Sequence, residues 1–234
     1  MQEISNQKRL KGVIIVGIIS LLMVSALYSL QKSEEPARKT INTNNKITLL
    51  DEGKFKNGDI IFQTSLSQQS KAIQLATKSK YSHCGLIFKN GQNYYVFEAV
   101  QPVKITPLDK WIARGQDGKY VVKRLINADQ ILTDTVIENM KQVCNRLKGK
   151  NYDLTFEWSD ERIYCSELIW KVYKRGAHID IGKLEKLSNF DLDNKVVKGT
   201  MNKRYGDNIP MNETVISPVA IFKSDLLTTV ISNY

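Results

Sequence analysis

Any chemistry on an imidazole or a thiol must come from two histidines and three cysteines: His83, His178, Cys84, Cys144 and Cys165. Cys165 stands in Ile163-Tyr164-Cys165-Ser166-Glu167-Leu168, where the apolar pattern turns helical. Unpaired N–H groups and the positive end of a helix dipole stabilise a thiolate there and can hold an oxyanion. Arg162 adds a nearby positive charge. The plain alternative for a cysteine so placed is a buried packing residue. His83 belongs to Ser82-His83-Cys84-Gly85-Leu86-Ile87-Phe88, which leads through Lys89-Asn90-Gly91-Gln92 into Tyr94-Tyr95-Val96-Phe97-Glu98. Asn-Gly favours a two-residue type I′ hairpin turn. With Asn90 and Gly91 in the turn, Lys89 pairs with Gln92 and His83 lies directly across from Glu98, with Cβ atoms roughly 4.5–5.5 Å apart. A bulged loop would shift that register.

Directly opposed residues point to one face, so Glu98 can accept the imidazole N–H, as a carboxylate does in orienting a catalytic base. The competing reading is an ordinary cross-strand His–Glu pair on a wet surface. Gly85, next to His83 on that face, leaves room for an approaching group. Cys165 as nucleophile, His83 as base and Glu98 as orienter would form a Cys-His-Glu triad. Tyr164 and Trp158 are expected to line the substrate cleft or, failing that, to pack at the edge of the core. Cys84 alternates away from His83 and is expected inside, and His178 is expected in an exposed loop after Gly176-Ala177. The five residues lack any zinc-ligand spacing and the chain has no Gly-rich phosphate loop, so neither metal nor cofactor is expected.

The elements that must carry these residues follow from periodicity. Asp59-Ile60-Ile61-Phe62, Ser82 to Phe88, Tyr94 to Val100 and Tyr120 to Leu125 are β-prone runs. Gln68 to Thr77 has Ala72, Ile73 and Ala76 at helical spacing. Asp134 to Leu147 is the clearest helix, with Val136, Ile137, Met140, Val143, Cys144 and Leu147 on one face, which makes Cys144 a core residue. Ser166 to Tyr173 is another helix, and past Gly176 the signal weakens to short mixed elements broken by Pro210 and Pro218. The class is α+β, an antiparallel sheet with helices packed against it.

Over 234 residues, 42% hydrophobic and 25% charged, a real core is available but not two large domains. The low Cys and His counts exclude a disulfide scaffold or a multi-zinc architecture. Residues 12–30 hold nineteen uncharged residues behind Lys8-Arg9-Leu10-Lys11. A helix of that length spans about 29 Å, close to a bilayer's hydrocarbon core. Residues 1–30 therefore read as a signal anchor, or as a signal peptide cut after Ala26, and residues 31–51 as a polar linker. Residues 52–234 form the catalytic domain, placed outside the cytoplasm in the cell envelope, either anchored or secreted. The net charge is +10, of which +2 precedes the hydrophobic run, leaving +8 for 31 basic and 23 acidic residues. The lysines are scattered and no nucleic-acid motif is present, so the excess reads as a solvated basic surface.

Gly58-Asp59-Ile60-Ile61-Phe62, Ser82-His83-Cys84-Gly85-Leu86 and Cys165-Ser166-Glu167-Leu168 resemble the Gly-Asp strand, the His strand and the Cys helix of NlpC-type papain-like cysteine peptidases. His precedes Cys here, the reverse of the usual order, so the chain resembles the circularly permuted YiiX/YebB-like family over most of residues 55–230. The resemblance implies a permuted papain-like fold and a site at Cys165, His83 and Glu98. It also implies hydrolysis of an amide bond, with peptidoglycan-derived or other peptide substrates foremost. Lecithin:retinol acyltransferases resemble the same group, so transfer of lipid acyl groups is the alternative, and a membrane-tethered binding module without turnover is a third reading.

Overall fold

The computed structural model describes residues 54–234; the expected signal or anchor at 1–30 and the linker at 31–51 lie outside the described residues. The first half comprises β1 (Ile60–Gln63), α1 (Ser70–Thr77), β2 (His83–Asn90), β3 (Asn93–Glu98), β4 (Lys104–Pro107), α2 (Leu108–Ala113) and β5 (Val121–Leu125). Then come α3 (Ala128–Ile131), α4 (Asp134–Leu147), β6 (Asn151–Tyr152), β7 (Arg162–Ile163) and α5 (Cys165–Val172), the last running into a wide turn at Tyr173–Ala177. The chain ends with β8 (Glu185–Lys186), α6 (Lys195–Tyr205), β9 (Thr214–Val215), α7 (Pro218–Phe222) and β10 (Leu227–Ser232).

Six strands make one sheet in the order β10-β5-β1-β2-β3-β4, with every neighbouring pair antiparallel. Strand alternation divides its side chains between two cores. Ile60, Phe62, Cys84 and Leu86 face α4 and α5, packing with Met140, Val143, Leu168 and Ile169. Ile61, Ile87, Val96 and Val122 face the other way and are covered by Trp111, Leu108 and Ile112 of α2. A third small cluster, Leu187, Val197 and Met201, lies around α6.

Helix α4 keeps the bounds its periodicity predicts, with the Thr133 hydroxyl accepting from the Val136 N–H at its start and the apolar face buried. Helix α6 escapes the sequence reading. In Lys195–Tyr205 only Val197 and Met201 are buried, and Gly199 weakens helix propensity, so the periodic signal is faint.

The hairpin register differs from the expected one. Asn90 pairs with Asn93 and Leu86 with Phe97, which puts Gly91 and Gln92 in the turn, with Gly91 at φ +59°. The same register sets Glu98 across from Gly85 instead of His83. Since the shift is by two residues, no side chain changes face. Nor is Gly85 an opening for a ligand. A Cβ there would lie 2.3 Å from Val96 Cγ1 and 3.5 Å from Glu98 Cβ, so the β3 side chains already fill the space.

Another glycine supports the same scaffold. A Cβ on Gly176 would lie 2.6 Å from Met140 Cα and 2.8 Å from its backbone nitrogen, so the turn after α5 touches the α4 backbone. Gly176→Ala is expected to destabilise the fold by about 1–3 kcal/mol through overpacking. At roughly 2–4 °C per kcal/mol for a domain of this size, thermal unfolding will show it. An unchanged melting temperature would mean that the two segments separate without cost.

Candidate active site

β2 opens on His83, β3 closes on Glu98 and α5 opens on Cys165, and the three meet at one end of the sheet. Tyr164, at the N-cap, is extended (φ −101°, ψ 166°), and its N–H donates to Glu167 Oε2 at 3.3 Å. Cys165 is therefore the first helical residue, and its N–H belongs to the four that have no partner within the helix. Cys165 is 2% exposed.

His83 Nε2 lies 2.7 Å from Glu98 Oε2, which leaves Nδ1 as the ring nitrogen not taken by the carboxylate. Glu98 reaches diagonally because the residue opposite it is a glycine. Its carboxylate is fully buried and multiply held. Thr106 Oγ1 donates to Oε1 at 2.6 Å, and Arg114 Nη2 reaches Oε1 at 2.6 Å and Oε2 at 2.7 Å. The Trp111 ring stacks on His83, centroids 5.7 Å apart at 22°, closing that face of the imidazole to water.

The electrostatics follow from these contacts. Burial of His83 works against its charged form, but hydrogen bonds and charge from Cys165 and Glu98 raise it to about 9. Burial likewise disfavours ionised Glu98, yet His83, Thr106 and Arg114 hold it down to about 2. The Cys165 thiol lies well below its ordinary value because the Cys84 thiol donates to it and His83 adds a hydrogen bond and positive charge, against the opposing effect of burial. The Cys84 backbone also donates to that sulfur. Cys84 itself is pushed well up by burial and by the neighbouring Cys165. A thiolate–imidazolium pair backed by a carboxylate is the arrangement of an activated sulfur nucleophile.

A cleft with about 690 Å³ of empty space, partly open to solvent, runs from Cys165 between α1 and α6. Tyr164 and Tyr152 both line it. Tyr164 is nearly buried, and its hydroxyl accepts from the Ile216 N–H at 3.0 Å. The Tyr152 hydroxyl accepts from Gln69 Nε2 at 2.8 Å, and Gln69 Oε1 accepts from Arg204 Nη2 at 2.8 Å. The phenol proton of Tyr152 is thereby left to donate. Burial first, and the Cys165 charge next, push that phenol well above its ordinary value.

The remaining candidates lie elsewhere. Trp158 is not on the cleft walls; its ring packs edge-on against Trp170, centroids 5.2 Å apart. Arg162 pairs with Asp153 at 3.4 Å and Glu157 at 3.0 Å, so its charge is taken up away from Cys165. His178 is exposed, and Cys84 and Cys144 are buried free thiols. Trp111, Thr106, Arg114, Tyr152 and Gln69 carry no local signal. Thr106, Trp111 and Arg114 come from the one stretch of β4 and α2, and Tyr152 and Gln69 from two others, so only the folded chain brings them to the site. Cys84 was expected to be merely inside, and it is, but it also helps to hold the Cys165 thiol below its ordinary value.

A sheet-borne histidine followed by a cysteine that opens a helix is a papain-like arrangement with its two halves in exchanged order, as the geometry of such sites permits. The family described as permuted papain-like amidase enzyme, YaeF/YiiX, C92 family, matches residues 54–231, and the chain belongs to it; this is a family of cysteine amidases and peptidases. Among similar proteins, YiiX of Escherichia coli (strain K12) is 50% identical over 173 residues, which is 74% of this chain and 84% of that protein. Among solved structures, one described as the metalloprotein YiiX from Escherichia coli O157:H7 is 49% identical. It covers 77% of this chain and 99% of that one, with a TM-score of 0.73.

Proposed function

We propose that this protein is an extracytoplasmic cysteine hydrolase that cleaves an amide bond with Cys165, His83 and Glu98. The His83 ring, held at 2.7 Å by the buried Glu98 carboxylate and acting with its charge on the Cys165 thiol, carries the reading. The Cys165 thiolate attacks the amide carbonyl carbon, and the resulting oxyanion accepts from the Cys165 backbone N–H and the Tyr152 hydroxyl. His83 gives its proton to the amide nitrogen, the C–N bond breaks, the amine leaves and a thioester remains on Cys165. Water then adds to the thioester as neutral His83 takes its proton. The carboxylate product departs, and thiolate and imidazolium are restored. Glu98 holds the ring in place and favours its charged form.

The nineteen uncharged residues behind a basic flank support export or anchoring of the catalytic domain. A metal does not fit this site: among the described residues no three His, Cys, Asp or Glu side chains gather about a point where an ion would be held.

The test is alkylation by iodoacetamide against pH, read by intact mass. Cys165 is lowered and His83 raised, so the reactive pair exists from well below the ordinary thiol range up to about 9. Labelling at Cys165 is expected to begin well below the ordinary thiol range, while Cys84 and Cys144, whose thiols burial pushes up, stay unlabelled. On the same grounds kcat/KM is expected to fall as pH rises through about 9, where His83 loses its proton. His83→Ala removes the cation and should move the labelling inflection toward the ordinary thiol value of about 8.5. A wild-type inflection already near that value would refute the activated pair.

A further inference from the structure

Resting on the reading of Cys165 as the nucleophile whose backbone N–H receives the oxyanion, we propose that Glu167 is a positioning residue of the reaction. Through the Tyr164 N–H it fixes the direction of the Cys165 N–H. Glu167 lies fully buried in the first turn of α5 and is not among the reacting groups. Its Oε2 accepts from the Tyr164 N–H at 3.3 Å, the acidic half of a capping box. β7, which leads into Tyr164, is two residues long and pairs with the equally short β6, so the helix start needs a hold of its own. The Tyr164 hydroxyl accepts from the Ile216 N–H at 3.0 Å, and the Ser166 hydroxyl donates to the Ile216 carbonyl at 2.7 Å. The side chains on both sides of Cys165 are thus pinned to one residue, and Glu167 pins the backbone that precedes it.

The Tyr152 hydroxyl, the second oxyanion donor, stands on β6, which runs parallel to β7 with Tyr152 beside Ile163. Residues 153–161 join the two strands. From α5 the buried Lys171 ammonium bonds the Ser159 carbonyl in that loop and Asp160 Oδ1 at 2.7 Å, and it faces Glu167 Oε1 at 2.8 Å. Arg175 Nη1 holds the same Asp160 at 2.6 Å. One buried carboxyl therefore ties the helix start that carries one donor to the loop that follows the other. Burial pushes the Glu167 carboxyl up to about 8 against the pull of Lys171. Oε2 can accept from Tyr164 in either protonation state, so the positioning rests on the hydrogen bond and not on the charge.

Two reactions of the same sulfur, both followed by intact mass on the full chain, separate this role from a general loosening. Acetylation by p-nitrophenyl acetate needs the oxyanion donors, whereas alkylation by iodoacetamide needs only the thiolate. Apolar residues of similar size often replace a buried ion pair without loss of the fold, so Glu167→Leu with Lys171→Met removes the acceptor from a filled core. That double variant is expected to acetylate about 10²-fold more slowly, with the rate and pH inflection of alkylation unchanged. Glu167→Gln with Lys171→Met keeps an oxygen for the Tyr164 N–H and should recover most of the loss. Glu167→Asp draws its oxygens back from Tyr164 while keeping the charge for Lys171. It should show the same selective loss, and it carries the test if the apolar double variant does not fold. Acetylation at the wild-type rate without the acceptor refutes the positioning role and leaves the nucleophile standing. So does alkylation that falls in step with acetylation, or a lack of recovery with Glu167→Gln. If the wild type forms no acetyl adduct on Cys165, the nucleophile reading fails and this role fails with it.

Discussion

Cys165→Ala is expected to lower amide or ester turnover by at least about 10⁴-fold, with no acyl adduct detectable by mass. The sulfur is the only atom that forms a bond to the substrate, and no neighbour can replace it: the Cys84 thiol is fully buried and pushed well up by that burial, so it stays protonated. His83→Ala should cost a similar factor, and the double variant hardly more, because residues that act as one unit are strongly non-additive. The two single variants differ in their adduct. With Cys165 present, His83→Ala should still be acylated slowly by an activated ester. Far-UV circular dichroism and the melting temperature should change little for Cys165→Ala, which removes one buried atom. Retention of more than a hundredth of wild-type turnover by Cys165→Ala would exclude it as the nucleophile.

Loss of the Glu98 carboxylate is expected to reduce both activity and stability, because one fully buried group binds His83, Thr106 and Arg114. Removing one partner of a buried ion pair typically costs 3–5 kcal/mol. Glu98→Ala is expected near the lower end, about 3 kcal/mol, since the Arg114 side chain is 43% exposed and can be hydrated, while His83 can shed its proton. Urea unfolding will read that change. For kcat/KM the expected loss is on the order of 10²–10⁴, and the alkaline limb should move down from about 9, because the carboxylate is one of the groups holding His83 charged. Glu98→Gln separates shape from charge. Its amide can turn its oxygen to His83 only by pointing its NH₂ at the Thr106 and Arg114 donors, so one set of contacts is lost either way. It should recover packing but not the pH profile. An alkaline limb left at about 9 in Glu98→Gln would mean that Glu98 does not set the charge of His83.

The site was legible in outline from short-range pattern. Period-two alternation put His83 and Glu98 on one face, and the two-residue error in register left that intact, because only an odd shift exchanges faces. The change from extended to helical pattern at Tyr164-Cys165 placed the thiol at a helix start, which depends on neighbouring residues alone. The 14-residue amphipathic stretch of α4 was equally plain, and it made Cys144 a core residue.

What remained depended on contacts between distant segments. Whether Gly85 opened a path or was filled by Val96 and Glu98 turned on the hairpin register, which Asn90-Gly91 predicted two residues away from the one adopted. Trp158 is aromatic and close in sequence to Cys165, yet it went to Trp170, while Tyr152 and Gln69, without any motif, came to the thiol. The cleft has one wall in α1 and the other in α6, a helix too weakly amphipathic to be read from its own residues. The sequence by itself determined which groups could react and on which face each would stand, because periodicity is local. Tertiary structure decided which groups surround the sulfur and which elements wall the cleft beside it, because burial and hydrogen-bond partners arise only when remote elements pack.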